Sequence, residues 1–244
     1  MRQHPTPAKD KFIPSLFDRI ATHYDTMNIV MTAGVWRYWQ SVYRRECGIG
    51  PGDSVLDVGC GTAELSLLLA HLVGPAGRVT GIDVSRGMLE IGQRKVAASP
   101  LADRIGLRWG DALHIDSPRA SFDAAGSAFV MRNVADLDQA LREIARVVRP
   151  GGRVAIMELS QPPASVIRRP FLFYFRRVLP MLGVWADHAG LPLAPYAWLP
   201  KSLETFPGAE ELGARMEAAG MTGVRFHRLT AGIVCLHTAT VAAH

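Results

Sequence analysis

Cysteine is scarce: three residues in 244, at positions 47, 60 and 235, an odd set without disulfide or metal-site spacing. They read as reduced thiols and exclude a disulfide-stapled secreted module. Long hydrophobic runs are missing as well. A membrane-spanning helix needs roughly 20 consecutive apolar residues. The greasiest stretch, Phe171 to Val184, is interrupted by Arg176, Arg177 and Pro180. The opening residues MRQHPTPAKDKF hold no apolar segment followed by a small-residue cleavage site, so no secretory signal is expected. Internal repeats and low-complexity tracts are absent. Nor is charge of one sign in large excess: 27 Lys+Arg against 22 Asp+Glu gives +5, mostly dispersed. That surplus alone does not choose among nucleic acid, an anionic membrane face and an acidic ligand. What is present is 48% hydrophobic residues, which excludes disorder as the dominant state. A cytoplasmic globular protein is the expectation.

Residues 1–10, with two prolines and no periodicity, read as a flexible tail, and 11–244 as a single domain. From Phe12 to Glu46 apolar residues recur at three- and four-residue spacing, which predicts two or three helices, a helical cap over 11–47. Strands and helices then alternate. Strands are expected at Ser54–Val58, Arg78–Asp83, Arg104–Trp109, Phe122–Phe129 and Arg153–Leu159. Helices are expected at Ala63–Val73, Met88–Ala98 and Leu137–Val148, the last closed by Pro150-Gly151-Gly152. Such alternation argues for an α/β, doubly wound, mostly parallel sheet with helices on both faces. Residues 160–208 break the rhythm with eight of the sixteen prolines and read as a lid-like insertion. A helix at Ala209–Ala219 and strands at Gly223–Leu229 and Ile233–Ala239 follow, the strands forming an antiparallel hairpin at the sheet edge.

The richest string is Val55-Leu-Asp-Val-Gly-Cys-Gly-Thr62, at the exit of the first strand. Gly59 and Gly61 permit a tight turn and close approach of a ligand to the backbone, in front of unpaired helix N–H groups. A dinucleotide fingerprint wants a third glycine at position 64. Glu64 stands there, which disfavours a pyrophosphate and suits a ligand with a cationic or zwitterionic group. The competing reading is a bare strand-to-helix turn. Asp83 ends the second strand 24 residues after Gly59, where a carboxylate accepts from ribose hydroxyls in nucleotide-binding α/β folds. Asp111-Ala112, after the third strand, falls on the same edge; Asp111 suits an adenine amino group or, equally, the capping of a turn. No metal-ligand spacing stands out.

Together these strings resemble the class I methyltransferases that use S-adenosylmethionine. The resemblance narrows with Phe17-Asp-Arg-Ile-Ala-Thr-His-Tyr-Asp-Thr-Met-Asn28, Met131-Arg-Asn-Val-Ala-Asp136, Val148-Arg-Pro-Gly-Gly152, Glu158-Leu-Ser160, Tyr196-Ala-Trp-Leu-Pro-Lys-Ser202 and Leu229-Thr-Ala-Gly-Ile-Val-Cys-Leu-His237. In that order they are similar to the UbiE/MenG family over about Phe12 to His237. The resemblance implies a Rossmann-like fold and methylation of a ring carbon of demethylmenaquinol or a ubiquinone precursor. It carries cofactor contacts onto Thr62, Asp83, Asp111 and Ala112. Where the family has Ser and, two residues on, Gly, this chain has Ala128 and Val130. The full set of cofactor-binding candidates is Gly59, Cys60, Gly61, Thr62, Asp83, Met88, Asp111, Ala112 and Ala128.

Carbon methylation needs the neighbouring phenol ionised. Arg132 is the candidate to stabilise that phenolate and Asn133 to orient it; the alternative for Arg132 is the capping of carbonyls after the fourth strand. Tyr24 and Asp25, with Asn28, would close over the cofactor from an N-terminal helix, or serve only packing and capping. His23, His188 and His237 are candidate bases that spacing does not separate. Aromatics flanked by arginines over 168–180 suit a lid or membrane-surface element for a prenylated quinol, or a packed helix with snorkelling arginines. Expected partners are thus a small aromatic or quinol substrate and the inner membrane face, with no nucleic acid; a homodimer is left open. Three other readings compete: methylation of carbon, oxygen or nitrogen in another aromatic metabolite, an RNA-modifying protein, and a non-catalytic cofactor-binding regulator. RNA is disfavoured by the lack of an appended RNA-binding module and of a basic stripe beyond 168–177.

Overall fold

The structure is a computed structural model describing residues 9–32, 34–163, 173 and 198–243. Three helices open the chain: α1 (Lys9–Ile20), α2 (Tyr24–Thr32) and α3 (Trp36–Glu46), with a 3-10 turn at Ala21–His23 between the first two. The alternating core follows as β1 (Ser54–Val58), α4 (Glu64–Val73), β2 (Arg78–Asp83), α5 (Arg86–Ala97), β3 (Ile105–Trp109), β4 (Phe122–Ala128), α6 (Leu137–Val147) and β5 (Val148–Leu159). After the Pro-rich stretch, of which 164–172 and 174–197 lie outside the described residues, come α7 (Trp198–Glu204), α8 (Ala209–Ala218), β6 (Met221–Leu229) and β7 (Val234–Val241).

The sheet runs β3-β2-β1-β4-β5-β7-β6. Its first five strands are parallel; β7 pairs antiparallel with β5 and β6 antiparallel with β7. The fold is the expected doubly wound α/β sheet with an antiparallel C-terminal pair. Apolar side chains on both faces of β1 explain why it is central. Val55 packs with Tyr43, Leu69 and Ala155 under α3 and α4. Leu56 and Val58 pack with Leu141, Ile144, Leu212 and Met216 under α6 and α8. Strand order reverses between β1 and β4, which opens a crevice at the carboxyl ends of the strands.

Some expected boundaries move for local reasons. α5 starts two residues early because Ser85 caps it, its hydroxyl accepting from Met88 N at 3.1 Å. β5 starts at Val148 rather than Arg153 and absorbs the Pro150-Gly151-Gly152 breaker as a bulge: pairing steps from Phe122–Val148 to Ala124–Arg153. A Cβ at Gly152 would stand 2.5 Å from the carbonyl oxygen of Asp123, so only glycine fits that bulge. A third small cluster, Ile13, Leu16 and Trp198 with Phe12 and Phe17, joins α1 to α7 over the crevice.

Candidate active site

At the exit of β1 the chain folds into a loop with Gly59 at φ 73° and Gly61 at φ 51°. Backbone N–H groups of Gly59 and Cys60 both donate to the carbonyl of Ile82, at 2.8 and 2.9 Å, fastening the loop to β2. A Cβ at Gly59 would lie 2.3 Å from Val130 Cγ2 and one at Gly61 3.4 Å from Met88 Cε. The first position therefore demands glycine for both conformation and space. In front of the loop is a cavity of about 140 Å³. Gly59, Gly61, Asp83, Met88, Asp111, Ala112 and Ala128 line it from the sheet side.

Asp83, at the end of β2, accepts from Gly61 N through Oδ2 and from Ser85 N through Oδ1, both at 2.8 Å. Burial raises its pKa and the backbone hydrogen bonds oppose that rise. It both shapes the glycine loop and faces the cavity. Asp111 accepts from Leu113 N at 2.9 Å, so the turn-capping role and the cavity-facing position coexist in one side chain. Two neighbours are not on the wall. Cys60 is buried, and burial pushes its thiol pKa well up, which leaves it no thiolate character. Thr62 is buried and its hydroxyl donates to Asp25 Oδ1 at 2.6 Å.

The N-terminal helices close the other side. Ile13, Pro14 and Phe17 of α1 and Tyr24 of α2 line the cavity, with the Phe17 and Tyr24 rings edge to face at 6.1 Å. Burial raises the Tyr24 phenol pKa, while a hydrogen bond with Asn28 and the charge of Arg132 pull it back. Asp25 does not face the cavity. Besides Thr62 it meets Lys95 Nζ at 2.7 Å, and that ammonium also binds Glu64 Oε1 at 2.6 Å. The expectation that Glu64 waits for a cationic ligand is thereby corrected: α5 supplies its cation. A residue that sequence reasoning passed over, Asp18, accepts from Ser85 Oγ at 2.6 Å and Gly87 N at 2.9 Å and so clips α1 to the start of α5. It stood inside a quoted motif with no signal beyond that.

The arginine–asparagine pair divides in two. Asn133 is on the cavity wall; its Nδ2 donates to Phe129 O at 3.4 Å and its Oδ1 accepts from Trp198 Nε1 at 3.0 Å. Arg132 stands behind the wall, its Nη1 donating to Phe129 O at 2.7 Å and to Glu158 Oε1 at 2.5 Å. Glu158 is buried and also accepts from the backbone N–H groups of Arg132 and Leu159. Between them Phe129 adopts φ 61° and packs against Trp36 and Trp39 of α3, each ring 5.8 Å away.

The candidate bases fare differently. His23 is exposed beside Thr22, 2.9 Å away. His237 is buried in β7 and bonds the carbonyl of Ala209 at 2.8 Å. Burial lowers its pKa, so it is a neutral structural imidazole away from the cavity. His188 and the 168–180 segment, save Phe173, lie outside the described residues. Asp57, quoted in the glycine string without a role, proves fully buried in β1. Its Oδ2 accepts from Ser66 Oγ at 2.6 Å, its Oδ1 has no partner among the described residues, and burial raises its pKa to about 7. Its position between apolar strand neighbours was the available signal.

Known proteins place this geometry. The model of the ubiE/COQ5 methyltransferase family matches residues 5–241. The chain belongs to that family. It is 40% identical to the demethylmenaquinone methyltransferase of Symbiobacterium thermophilum over 241 residues, covering 98% of this chain and 96% of that one. Against the ubiquinone/menaquinone biosynthesis C-methyltransferase of Hahella chejuensis identity is 35%, over 99% and 96% of the two chains. Among solved structures, a SAM-dependent methyltransferase from Aquifex aeolicus superposes with a TM-score of 0.59 at 21% identity, covering 83% of this chain and 89% of its own. A SAM-dependent methyltransferase from Thermotoga maritima gives 0.63 at 17%, covering 93% and 98%. At those identities they speak for the fold. In this ubiE/COQ5 methyltransferase Ala128 and Val130 stand on the cavity wall between the glycine loop and Asn133.

Proposed function

We propose that this methyltransferase transfers a methyl group from S-adenosylmethionine to a ring carbon of a prenylated quinol, demethylmenaquinol or a ubiquinone precursor. The observation that carries the reading is one cavity with two chemically distinct walls. Gly59, Gly61, Asp83 and Asp111 present bare backbone and carboxylates, and Phe17, Tyr24, Phe129 and Asn133 present rings with two polar tips. The residues fit the cofactor. Two glycines without Cβ atoms let its backbone-facing part approach, and Asp83 keeps lone pairs beyond its two backbone bonds for ribose hydroxyls. Asp111 borders the place for the base beside apolar Ile82, Ala112 and Leu113.

When bound, S-adenosylmethionine supplies an electrophilic methyl group on a sulfonium. The chain's task is to hold the acceptor ring in line and to favour the loss of its phenolic proton. In this reading Tyr24 Oη and Asn133 Nδ2 would hydrogen-bond the acceptor oxygen. Arg132 acts from behind them: its charge reaches Tyr24, and Glu158 fixes its orientation. The positive field favours an anion at the acceptor oxygen over the neutral phenol. Water is kept out by the α1–α7 cluster, which Asn133 joins through Trp198. The acceptor's insolubility puts the working enzyme at a membrane face.

Turnover with labelled S-adenosylmethionine against demethylmenaquinol, a short-chain ubiquinone precursor, soluble phenols and RNA tests the proposal. Label on a quinol ring carbon is expected; label entering RNA or only phenol oxygens overturns it. Val130, packed over Gly59, favours a second reading in which the acceptor is a smaller aromatic metabolite.

A further inference from the structure

The face of the N-terminal helices turned away from the cavity has an unusual make-up. From Thr26 to Arg45 there is no Asp or Glu, while Arg37, Arg44 and Arg45 give three positive charges. The two flanking carboxylates are already engaged, Asp25 by Lys95 and Glu46 by Arg45 and His227. On α3 the periodicity separates two faces. Trp36, Trp39, Val42 and Tyr43 turn toward the core, whereas Arg37, Tyr38, Ser41, Arg44 and Arg45 form an exposed stripe about two and a half turns long on the opposite side. Ion pairs are absent for Arg37 and Arg44 among the described residues. Among the described residues four large apolar side chains are left in the open, and two of them belong here: Ile29 at 63% and Tyr38 at 52% exposure.

The inner face of the same helix forms the back of the site. Trp36 and Trp39 pack on Phe129, and Phe129 lines the cavity. α3 thus separates the acceptor cavity from a basic surface with one exposed aromatic, and α2, before it in the chain, adds an exposed aliphatic side chain. Such a surface complements an anionic bilayer. Arginines bind lipid phosphates, Tyr38 suits the headgroup level, and Ile29 can enter the acyl boundary. A spanning helix is not required for this, and no helix among the described residues is long and apolar enough to cross a membrane.

We infer that the exposed face of α2 and α3, through Ile29, Arg37, Tyr38 and Arg44, docks this enzyme on an anionic lipid surface. Docking there would hold the acceptor cavity within one helix of the lipid in which a prenylated acceptor resides. The inference rests on the quinol reading for the nature of that acceptor, but lipid binding is measured without any acceptor present. Flotation of the purified full chain is compared on vesicles of phosphatidylcholine alone and of equal parts phosphatidylcholine and phosphatidylglycerol. The expected result is binding to the mixed vesicles, weaker binding to phosphatidylcholine and release at high salt. Arg37→Glu with Arg44→Glu should lower partitioning by about tenfold or more, since each arginine near a charged surface contributes and reversal turns attraction into repulsion. The Arg37→Lys, Arg44→Lys pair should bind like wild type, because headgroup attraction needs only the charge. Ile29→Ser with Tyr38→Ser should weaken binding to the mixed vesicles at low salt and remove the weaker binding to phosphatidylcholine alone.

All these side chains are exposed, so unchanged thermal unfolding and unchanged turnover of a short-chain soluble acceptor are expected for each variant. Equal flotation of wild type and the Glu pair overturns the inference. So does a wild type that binds heparin or RNA yet floats with neither vesicle. If the vesicle results hold while no quinol is methylated, the docking face stands and the acceptor reading falls.

Discussion

Arg132 shows how one side chain joins stability to chemistry. It is buried against Glu158, itself almost inaccessible, so removing the guanidinium strands a carboxylate inside the protein. Arg132→Ala is expected to destabilise the fold by about 3–5 kcal/mol, the range for breaking a buried pair from one side. Adding Glu158→Gln removes the stranded charge and should recover most of that loss. If the arginine's charge also favours the acceptor anion, the double variant stays about 100-fold or more below wild type in kcat. Its pH–rate profile should shift to higher pH. Urea unfolding and kcat against pH on both variants decide the matter; a double variant that regains stability and kcat together reduces Arg132 to a structural role. The sequence pointed to Arg132 through its motif, yet its partner stands 26 residues away on β5. A pairing between the loop after β4 and the end of β5 has no local signature, which is why a cavity-facing arginine was the natural expectation. Asp83, by contrast, was readable because the end of a parallel strand fixes where its side chain must go.

The helices that close the site, α1 and α2, are held by one small apolar cluster and a few polar clips. Asp18 holds α1 to Ser85 and Gly87 of α5, and Asp25 holds α2 to Thr62 and Lys95. The Asp25–Lys95 pair is partly exposed and worth little to global stability. What it does is hold α2 against Thr62 of the glycine loop and Lys95 of α5. Asp18→Ala is expected to speed hydrogen exchange across α1 and to raise the cofactor off-rate by about 5- to 20-fold, for one or two hydrogen bonds of about 1 kcal/mol each. Global unfolding should move far less than the off-rate. Stopped-flow displacement of the cofactor with exchange mass spectrometry checks this, and an unchanged off-rate refutes the clip. At this scale the alternating helices and strands of the sheet were readable, because buried parallel strands and amphipathic helices write period and length into the chain. The start of β5 was not: Pro150-Gly151-Gly152 carries the composition of a turn, and pairing with β4 turns it into a bulge instead. The clips were likewise invisible, since each joins residues distant in sequence.

Across the whole molecule, β1 is the strand on which both hydrophobic faces close, and Asp57 is the ionisable group set within it. Burial raises its pKa from 3.8 to about 7, with the Ser66 hydrogen bond opposing. The folded state therefore holds a proton that the unfolded chain releases near 3.8. Because the native form binds more protons in that interval, stability from Asp57 is fully present below the unfolded value and is lost as pH rises through about 7. The shift corresponds to an effect on the order of 4 kcal/mol, at about 1.4 kcal/mol per unit. His237 works in the other direction. Burial lowers its pKa from 6.5, so its contribution is present above 6.5 and is lost as pH falls through the depressed folded value. On these two groups the native protein should be most stable in weakly acidic solution, with the Asp57 contribution lost by about pH 7. Asp57→Asn isolates the carboxyl's share: the amide keeps an acceptor for Ser66 and cannot ionise. Urea unfolding of wild type and Asp57→Asn at pH 5 and pH 8 should show a variant whose advantage over wild type grows by about 2–3 kcal/mol from the lower pH to the higher. A variant destabilised equally at both would mean that the strand holds a carboxylate rather than a carboxylic acid, and the alkaline loss would then have to arise elsewhere in the sheet.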